Sequence, residues 1–220
     1  MGAEGDGAGA ERPAIQMLRP HLEGLPPLAP ALAALPPQLR FRTYREGDEP
    51  SWADLMNTGQ MGEWTAQRTR EQLTGRPSPQ FDPEGFFVLA VPLQGGGGAE
   101  RLAGAACAWL RDPQERETGV LHMVCVLPEH RGRGLSYPLC LAVLHRFRER
   151  AYRQVSLSTH EWRLGAVKVY LRLGFQPLYR HPRHPEQWAR VLRTLAWTGP
   201  VQAVEEPGAW PAAPAGASAG

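Results

Sequence analysis

The chain has 220 residues, 42% of them hydrophobic, which suits one globular domain with a sizeable core. Twenty-four basic against 22 acidic side chains leave a formal charge of +2, too balanced for bulk attraction to nucleic acid or to a membrane surface. No stretch reaches the roughly 18 apolar residues that span a bilayer.

The opening MGAEGDGAGAERP lacks the basic-then-apolar order of a secretory signal, and Asp6 stands where a myristoylation signal has Ser or Thr. Residues 1–38 are rich in Gly, Ala and Pro and read as a flexible N-terminal arm; 39–199 read as the working domain and 200–220 as a disordered tail. Within the domain, LRFRTY reads as a strand. GDEPSWADLMNTG then starts a helix, with Asp48 as its cap, Pro50 in the first turn and Trp52, Leu55 and Met56 at helical spacing. TAQRTREQLTG reads as a second helix. GFFVLAV and RLAGAACAWL are strands joined by a hairpin whose tip holds four consecutive glycines. GVLHMVCVLP alternates with a period of about two residues, as a strand does, and ends at Pro128. Leu135, Leu139, Val143 and Phe147 recur every fourth residue and predict a helix to about Arg150. QVSLST is then a strand, LGAVKVYLRLG a helix with Gly174 past its C-terminus, and FQPLY a last strand. This order predicts an α/β (α+β) fold: a mixed, mainly antiparallel sheet flanked by helices, with one βαβ crossover through the Leu135 helix. Cys107, Cys125 and Cys140 lie in apolar runs without metal-binding spacing, so no metal is expected, and an odd set of thiols fits a reducing cytoplasm.

Between the GVLHMVCV strand and the Leu135 helix lies VLPEHRGRGLSYP. A strand feeding a helix through glycines leaves backbone N–H groups unpaired, with about half a positive charge from the helix dipole behind them. Such a turn seats an anion: Gly132 and Gly134 let the backbone approach it, and Arg131 and Arg133 add charge. The Walker pattern is absent, and the Rossmann GxGxxG fails because Tyr137 holds the third glycine's place.

The spacing Arg131-Gly132-Arg133-Gly134-Leu135-Ser136 resembles the R/Q-x-x-G-x-G/A signature of the GNAT superfamily of acetyl-CoA-dependent N-acetyltransferases, with Ser136 at the last small position. Some 30 residues on, RLGAVKVYLRLGF is similar to the family's N-x-x-A-x-x-x-Y-x-x-x-G-F segment. Ala166, Tyr170, Gly174 and Phe175 are in register, and Arg163 stands at the usual asparagine. The resemblance implies that acetyl-CoA binds as co-substrate, its pyrophosphate on residues 131–136. Its pantetheine arm would lie along Val124, Cys125 and Val126, where the family's strand splays, and against Ala166. Tyr170 is then the general acid beside the CoA sulfur. LHMVCV also resembles the LHALAV segment of arylalkylamine N-acetyltransferases, whose aligned histidine belongs to a proton relay, and this makes His122 the candidate base. The companion histidine of those enzymes is replaced by Val120, and the residue reading of a lone strand histidine is a packed core group.

The implied reaction is direct transfer of acetyl to a primary amine of a small molecule or of a protein N-terminus or lysine, with a homodimer left open. An alkylamine is neutral only about once in 2,500 at pH 7, a cost of roughly 4.6 kcal/mol, so a base or a depressed amine pKa matters. Trp52, Glu63, Trp64, Thr159 and His160 are expected around the acceptor. The alternative is a non-catalytic module that binds or senses acyl-CoA. A nucleic-acid surface along Arg146, Arg148, Arg150 and Arg153 lacks interleaved aromatics and is not expected, nor is a membrane partner.

Overall fold

The structure is a computed structural model that describes residues 13–59, 61–73, 81–93, 99–110 and 116–205. Its elements run β1 (Ile15–Arg19), α1 (Leu28–Ala33), β2 (Arg40–Thr43), α2 (Glu49–Thr58), α3 (Ala66–Leu73), β3 (Phe81–Pro92), β4 (Glu100–Leu110) and β5 (Thr118–Val126). A short 3-10 turn, Pro128–His130, follows, then α4 (Ser136–Glu149), β6 (Gln154–Thr159), α5 (Leu164–Arg172), β7 (Gln176–Tyr179), α6 (His184–Thr194) and β8 (Val204–Glu205). Among the described residues the strands form one sheet, ordered β2-β3-β4-β5-β6-β1-β7-β8. Only β5–β6 and β7–β8 pair in parallel, and the first of these is the expected crossover through α4. The expected mixed, mainly antiparallel α/β fold is present.

Helices cover both faces. On one face Leu135, Leu139, Val143 and Phe147 of the α4 region pack with Leu89, Leu121 and Val155, all buried. On the other, Trp52, Leu55 and Met56 of α2 pack with Phe86, Val88 and Cys107. Strands β3 and β4 therefore alternate between two cores rather than between core and water, and read as long apolar runs. At Gly119 a Cβ would come within 2.4–2.6 Å of the Phe147 ring, so α4 lies on β5 at a distance that only glycine allows.

Two expectations about the ends need correction. Residues 13–38 are not a flexible arm: β1 lies inside the sheet, antiparallel to β6 on one side and to β7 on the other, with Ile15, Met17 and Leu18 buried. The Pro-rich run after it forms α1, with Pro30 tolerated in the first turn, and Leu28, Ala31 and Leu35 lie against the α4 core. His145 of α4 contacts the Pro26 carbonyl through Nε2 at 2.8 Å. The domain also does not end at residue 199, because Val204 and Glu205 pair with Leu178 and Tyr179. Residues 206–220, and with them most of the expected tail, lie outside the described residues, as do residues 94–98 and hence the four-glycine tip. Asp48 sits at the N-cap of α2 but makes no capping bond with its side chain. Arg42 competes successfully for that carboxylate, donating at 2.7 and 2.8 Å, and the Arg45 N–H donates to it as well.

Candidate active site

The site begins where two parallel strands separate. β5 pairs with β6 only through Thr118–Val120 and Gln154–Ser156, although β5 continues to Val126 and β6 to Thr159. The cause lies in the next pair of strands. Ala105 faces Cys125 and Cys107 faces His122, so Met123 and Val124 together oppose Ala106, and Met123 takes the left-handed backbone at φ 50°. A bulge of this kind turns its strand away from the regular ladder. The strands part there, leaving a slot between Leu121–Val126 and Leu157–Thr159, with Val124, Cys125 and Val126 on its β5 side.

At the mouth of the slot the chain passes through Pro128–His130 into Arg131, Gly132, Arg133 and Gly134, all four exposed. Gly132 and Gly134 have φ of 75° and 72°. A Cβ on either would meet no protein atom within 4 Å, so the backbone conformation, not crowding within the protein, demands glycine. Leu135 is buried and anchors the turn, Ser136 opens α4, and no side chain caps that helix. Of its first amides the Tyr137 N–H donates to the Gly134 carbonyl at 3.1 Å, and the rest, with the helix dipole, follow directly on two exposed arginines, a combination suited to a pyrophosphate. The Arg131 Nε–H donates to the Val126 carbonyl at 3.0 Å and ties the turn to the end of β5. Arg172, in the last turn of α5, lies over the Tyr137 ring at 5.5 Å and adds a cation at this edge.

The two residues expected to move protons stand on different faces. Tyr170 of α5 is buried in the α4-side core near Phe175, and desolvation raises its phenol far above the ordinary value, so it keeps its proton at every working pH. His122 shares the register of Cys107, on the α2 face, and its ring lies 5.4 Å from Trp109. Burial lowers its pKa to about 4. Against the ordinary histidine value near 6.5, this makes it an imidazole neutral throughout the physiological range.

Cys125 is buried, its thiol donates to the Leu55 carbonyl at 3.3 Å, and burial raises its pKa while Arg131 and Arg163 oppose the rise. It is an inert thiol turned toward α2. Val124 and Val126 pack toward the α4 core, and Ala166 faces the same core from α5. Of the residues expected around the acceptor, Trp52 is fully buried core and Thr159 is a paired strand residue opposite Ile15. Trp64 is buried and donates from Nε1 to the Met61 carbonyl, Glu63 is exposed, and His160 stacks on Trp162 at 5.7 Å. Trp109, Trp162 and Arg163 lie beside these residues and were not among those expected at the site. Arg163, at the N-cap of α5, crosses the slot: its Nη1 donates to the Met61 sulfur at 3.2 Å, and its guanidinium lies 4.6 Å from the centre of the Trp162 ring. Its departure from the usual asparagine was the one available signal.

The fold has known counterparts. A GCN5-related N-acetyltransferase from Sphaerobacter thermophilus is similar, with 23% identity and a TM-score of 0.55 over 76% of this chain and 49% of that one. A tandem GNAT protein from the clavulanic acid biosynthesis pathway follows, with 22% identity and a TM-score of 0.51 over 74% of this chain and 50% of that one. A GCN5-related glucosamine N-acetyltransferase region of a fungal multi-domain GH3 beta-N-acetylglucosaminidase has 13% identity and a TM-score of 0.51, over 76% and 20%. The chain spans about half the length of the first two, and at these identities the likeness is one of fold. No curated protein matches the chain. The sequence model of the Acetyltransferase (GNAT) family matches residues 49–175, a span that covers more than half of the chain and contains the bulge, the slot and the glycine turn. The chain belongs to the GNAT acetyltransferase family.

Proposed function

We propose that the chain transfers an acetyl group from acetyl-CoA directly to a primary amine. The observation that carries this reading is the alignment of the slot between β5 and β6 with the uncapped, glycine-led start of α4. Acetyl-CoA would supply the acetyl group as a thioester. Residues Arg131–Ser136 would hold its diphosphate through main-chain amides, with Val124–Val126 and Ala166 along the slot. A few charge-assisted hydrogen bonds at about 1.5–3 kcal/mol each reach the roughly 8 kcal/mol of micromolar binding before ordering costs are subtracted.

Tyr170, protonated and shielded from water, would donate its proton to the thiolate as the C–S bond breaks, and the proton shed by the acylated nitrogen would return to the phenolate, so that amine and acetyl-CoA leave as amide and free CoA thiol. The role left to His122 is narrower than that of a general base for an ammonium. Moving a proton from a group near pKa 10.4 to one near 4 is uphill by about 9 kcal/mol, so the amine must arrive neutral. The imidazole then accepts a hydrogen bond from the incoming N–H and orients the lone pair. No described helix is long and apolar enough to cross a membrane, and all three cysteines are buried and free of disulfides.

A thiol-release assay with acetyl-CoA against a panel of amines, run beside calorimetry of CoA binding, tests the proposal. Turnover with at least one amine is expected. Tight CoA binding with no transfer to any of them would favour a non-catalytic acyl-CoA module.

A further inference from the structure

We propose that Arg163 selects the acceptor: the amine acetylated in this slot carries a carboxylate, as an amino acid does, and the Arg163 guanidinium holds it. The inference rests on the acetyltransferase reading and names the acceptor class for the same site. It starts from an arginine whose charge is unanswered. Arg42, Arg146 and Arg190 each face carboxylates at 2.6–2.9 Å. The polar contact of the Arg163 side chain is instead a thioether, with an indole face beside it, and its Nε is buried without a hydrogen-bond partner. A guanidinium has five donors in a planar fork, and the buried Nε–H left without a partner costs free energy that an oxyanion ligand would return.

The position of that charge identifies the ligand as the acceptor. Arg163 starts from the end of β6 where β5 has already left it, and reaches Met61, which lies with the α2-side core. On the way it acts electrostatically on both the Cys125 thiol and the Tyr170 phenol, lowering the pKa of each. An acceptor brought to the slot from the side of Met61 would meet it. The carboxylate nearest in sequence, Glu161, is engaged by Arg190 at 3.3 Å. A fixed cation in this position disfavours an ammonium beside it, which supplies the amine in its neutral, nucleophilic form. It also disfavours polycationic acceptors such as aminoglycosides and lysine-rich tails. Trp162, 62% exposed, adds an apolar ledge beside the guanidinium. Together they describe an amine with a carboxylate and an apolar or aromatic side chain.

Matched pairs test this on the full chain: L-phenylalanine against phenethylamine, and L-leucine against isoamylamine, by thiol release with acetyl-CoA, with CoA affinity measured separately by calorimetry. The carboxylate-bearing member is expected to be the better substrate by about tenfold or more in kcat/KM, the range of one charge-assisted pair. Arg163→Met should remove that preference chiefly through KM, Arg163→Lys should restore part of it, and CoA affinity should be retained in both. Comparing the ratio within each pair between proteins cancels the difference in amine pKa, and Arg163→Gln serves if the Met variant fails to fold. Equal loss for both members of a pair, or preference for the decarboxylated amines, overturns the proposal. A collapse of CoA affinity in Arg163→Met also overturns it, since Arg163 would then be a cofactor contact. If CoA binds and neither member of any pair is acetylated, the acceptor assignment falls while the cofactor seat stands; if CoA does not bind, the acetyltransferase reading itself falls.

Discussion

Protonation of His122 offers a test that needs no substrate. Its folded-state pKa of about 4 lies below the value near 6.5 of an unfolded chain. As pH falls through 6.5 the unfolded chain takes up a proton that the folded chain refuses until about pH 4. Stability from this residue is therefore complete above 6.5 and drains as the pH falls toward 4. Two and a half pKa units correspond to about 3 kcal/mol in total, of which about 2 kcal/mol is lost between pH 7 and pH 5. His122→Gln cannot titrate and escapes that loss. His184, also depressed by burial, drains stability in the same direction in both proteins and cancels in the difference. In urea titrations the gap between wild type and His122→Gln should shift in the variant's favour by about 2 kcal/mol on going from pH 7 to pH 5, roughly 1 M in midpoint. A gap that does not change with pH, or a His122 imidazole resonance (assigned by its loss in His122→Gln) that titrates near 6.5, would refute the argument. The same reasoning expects no inflection near pH 6.5 in the rate of transfer.

Three further outcomes are expected. Gly134→Glu places a carboxylate, on a backbone at φ 72°, over the proposed diphosphate seat and should abolish CoA binding; unchanged affinity by calorimetry would remove that seat. Tyr170→Phe should lower turnover by about 100-fold or more, the scale of a lost general acid, with CoA affinity retained; turnover equal to wild type would take the acid role from Tyr170. Deleting residues 1–19 removes Ile15, Met17 and Leu18 from the sheet interior, at about 1.5–3 kcal/mol each, a large share of a typical folding margin of 5–15 kcal/mol. The truncated chain should fail to show a cooperative unfolding transition, and a chain that melts like the intact one would return the N-terminus to the status of an arm.

The elements between Leu39 and Tyr179 were legible because their signals are local. The four-residue recurrence of Leu135, Leu139, Val143 and Phe147, and the demand for glycine at 134 and 174, are properties of one turn or one helix face. IQMLR was not legible. A five-residue strand covered on both faces has no alternation to read, its Ala- and Pro-rich flanks point the other way, and its partners are more than 130 residues distant. Helix α6 failed for a different reason. Trp188, Val191, Leu192 and Leu195 have helical spacing, and Pro185 opens the first turn, but the segment follows the last recognised motif and its other residues are polar. In the site, the anion turn could be read from glycine chemistry alone. The depressed pKa of His122 and the unanswered charge of Arg163 are relations between elements distant in sequence, and no local pattern encodes them.

The N-terminal strand also explains how a slot can persist in the middle of a sheet. Where β5 turns away, residues Leu157–Thr159 of β6 lose a neighbour on one edge, and an unsatisfied strand edge tends to recover a partner. β1 supplies the other edge, pairing Ile15–Met17 with those same residues and continuing to Val155. β6 is thereby held from behind while its front edge stays open. The same segment reaches the second wall of the site: the Arg19 guanidinium donates to the Leu173 carbonyl, just past the end of α5, and carries a positive charge to the negative end of the helix that bears Tyr170 and Arg163. Its continuation, α1, lies against α4, whose first turn forms the anion seat. Each of the three elements that shape the slot from the α4 side is thus braced by residues before Leu39, and the working domain has no boundary there.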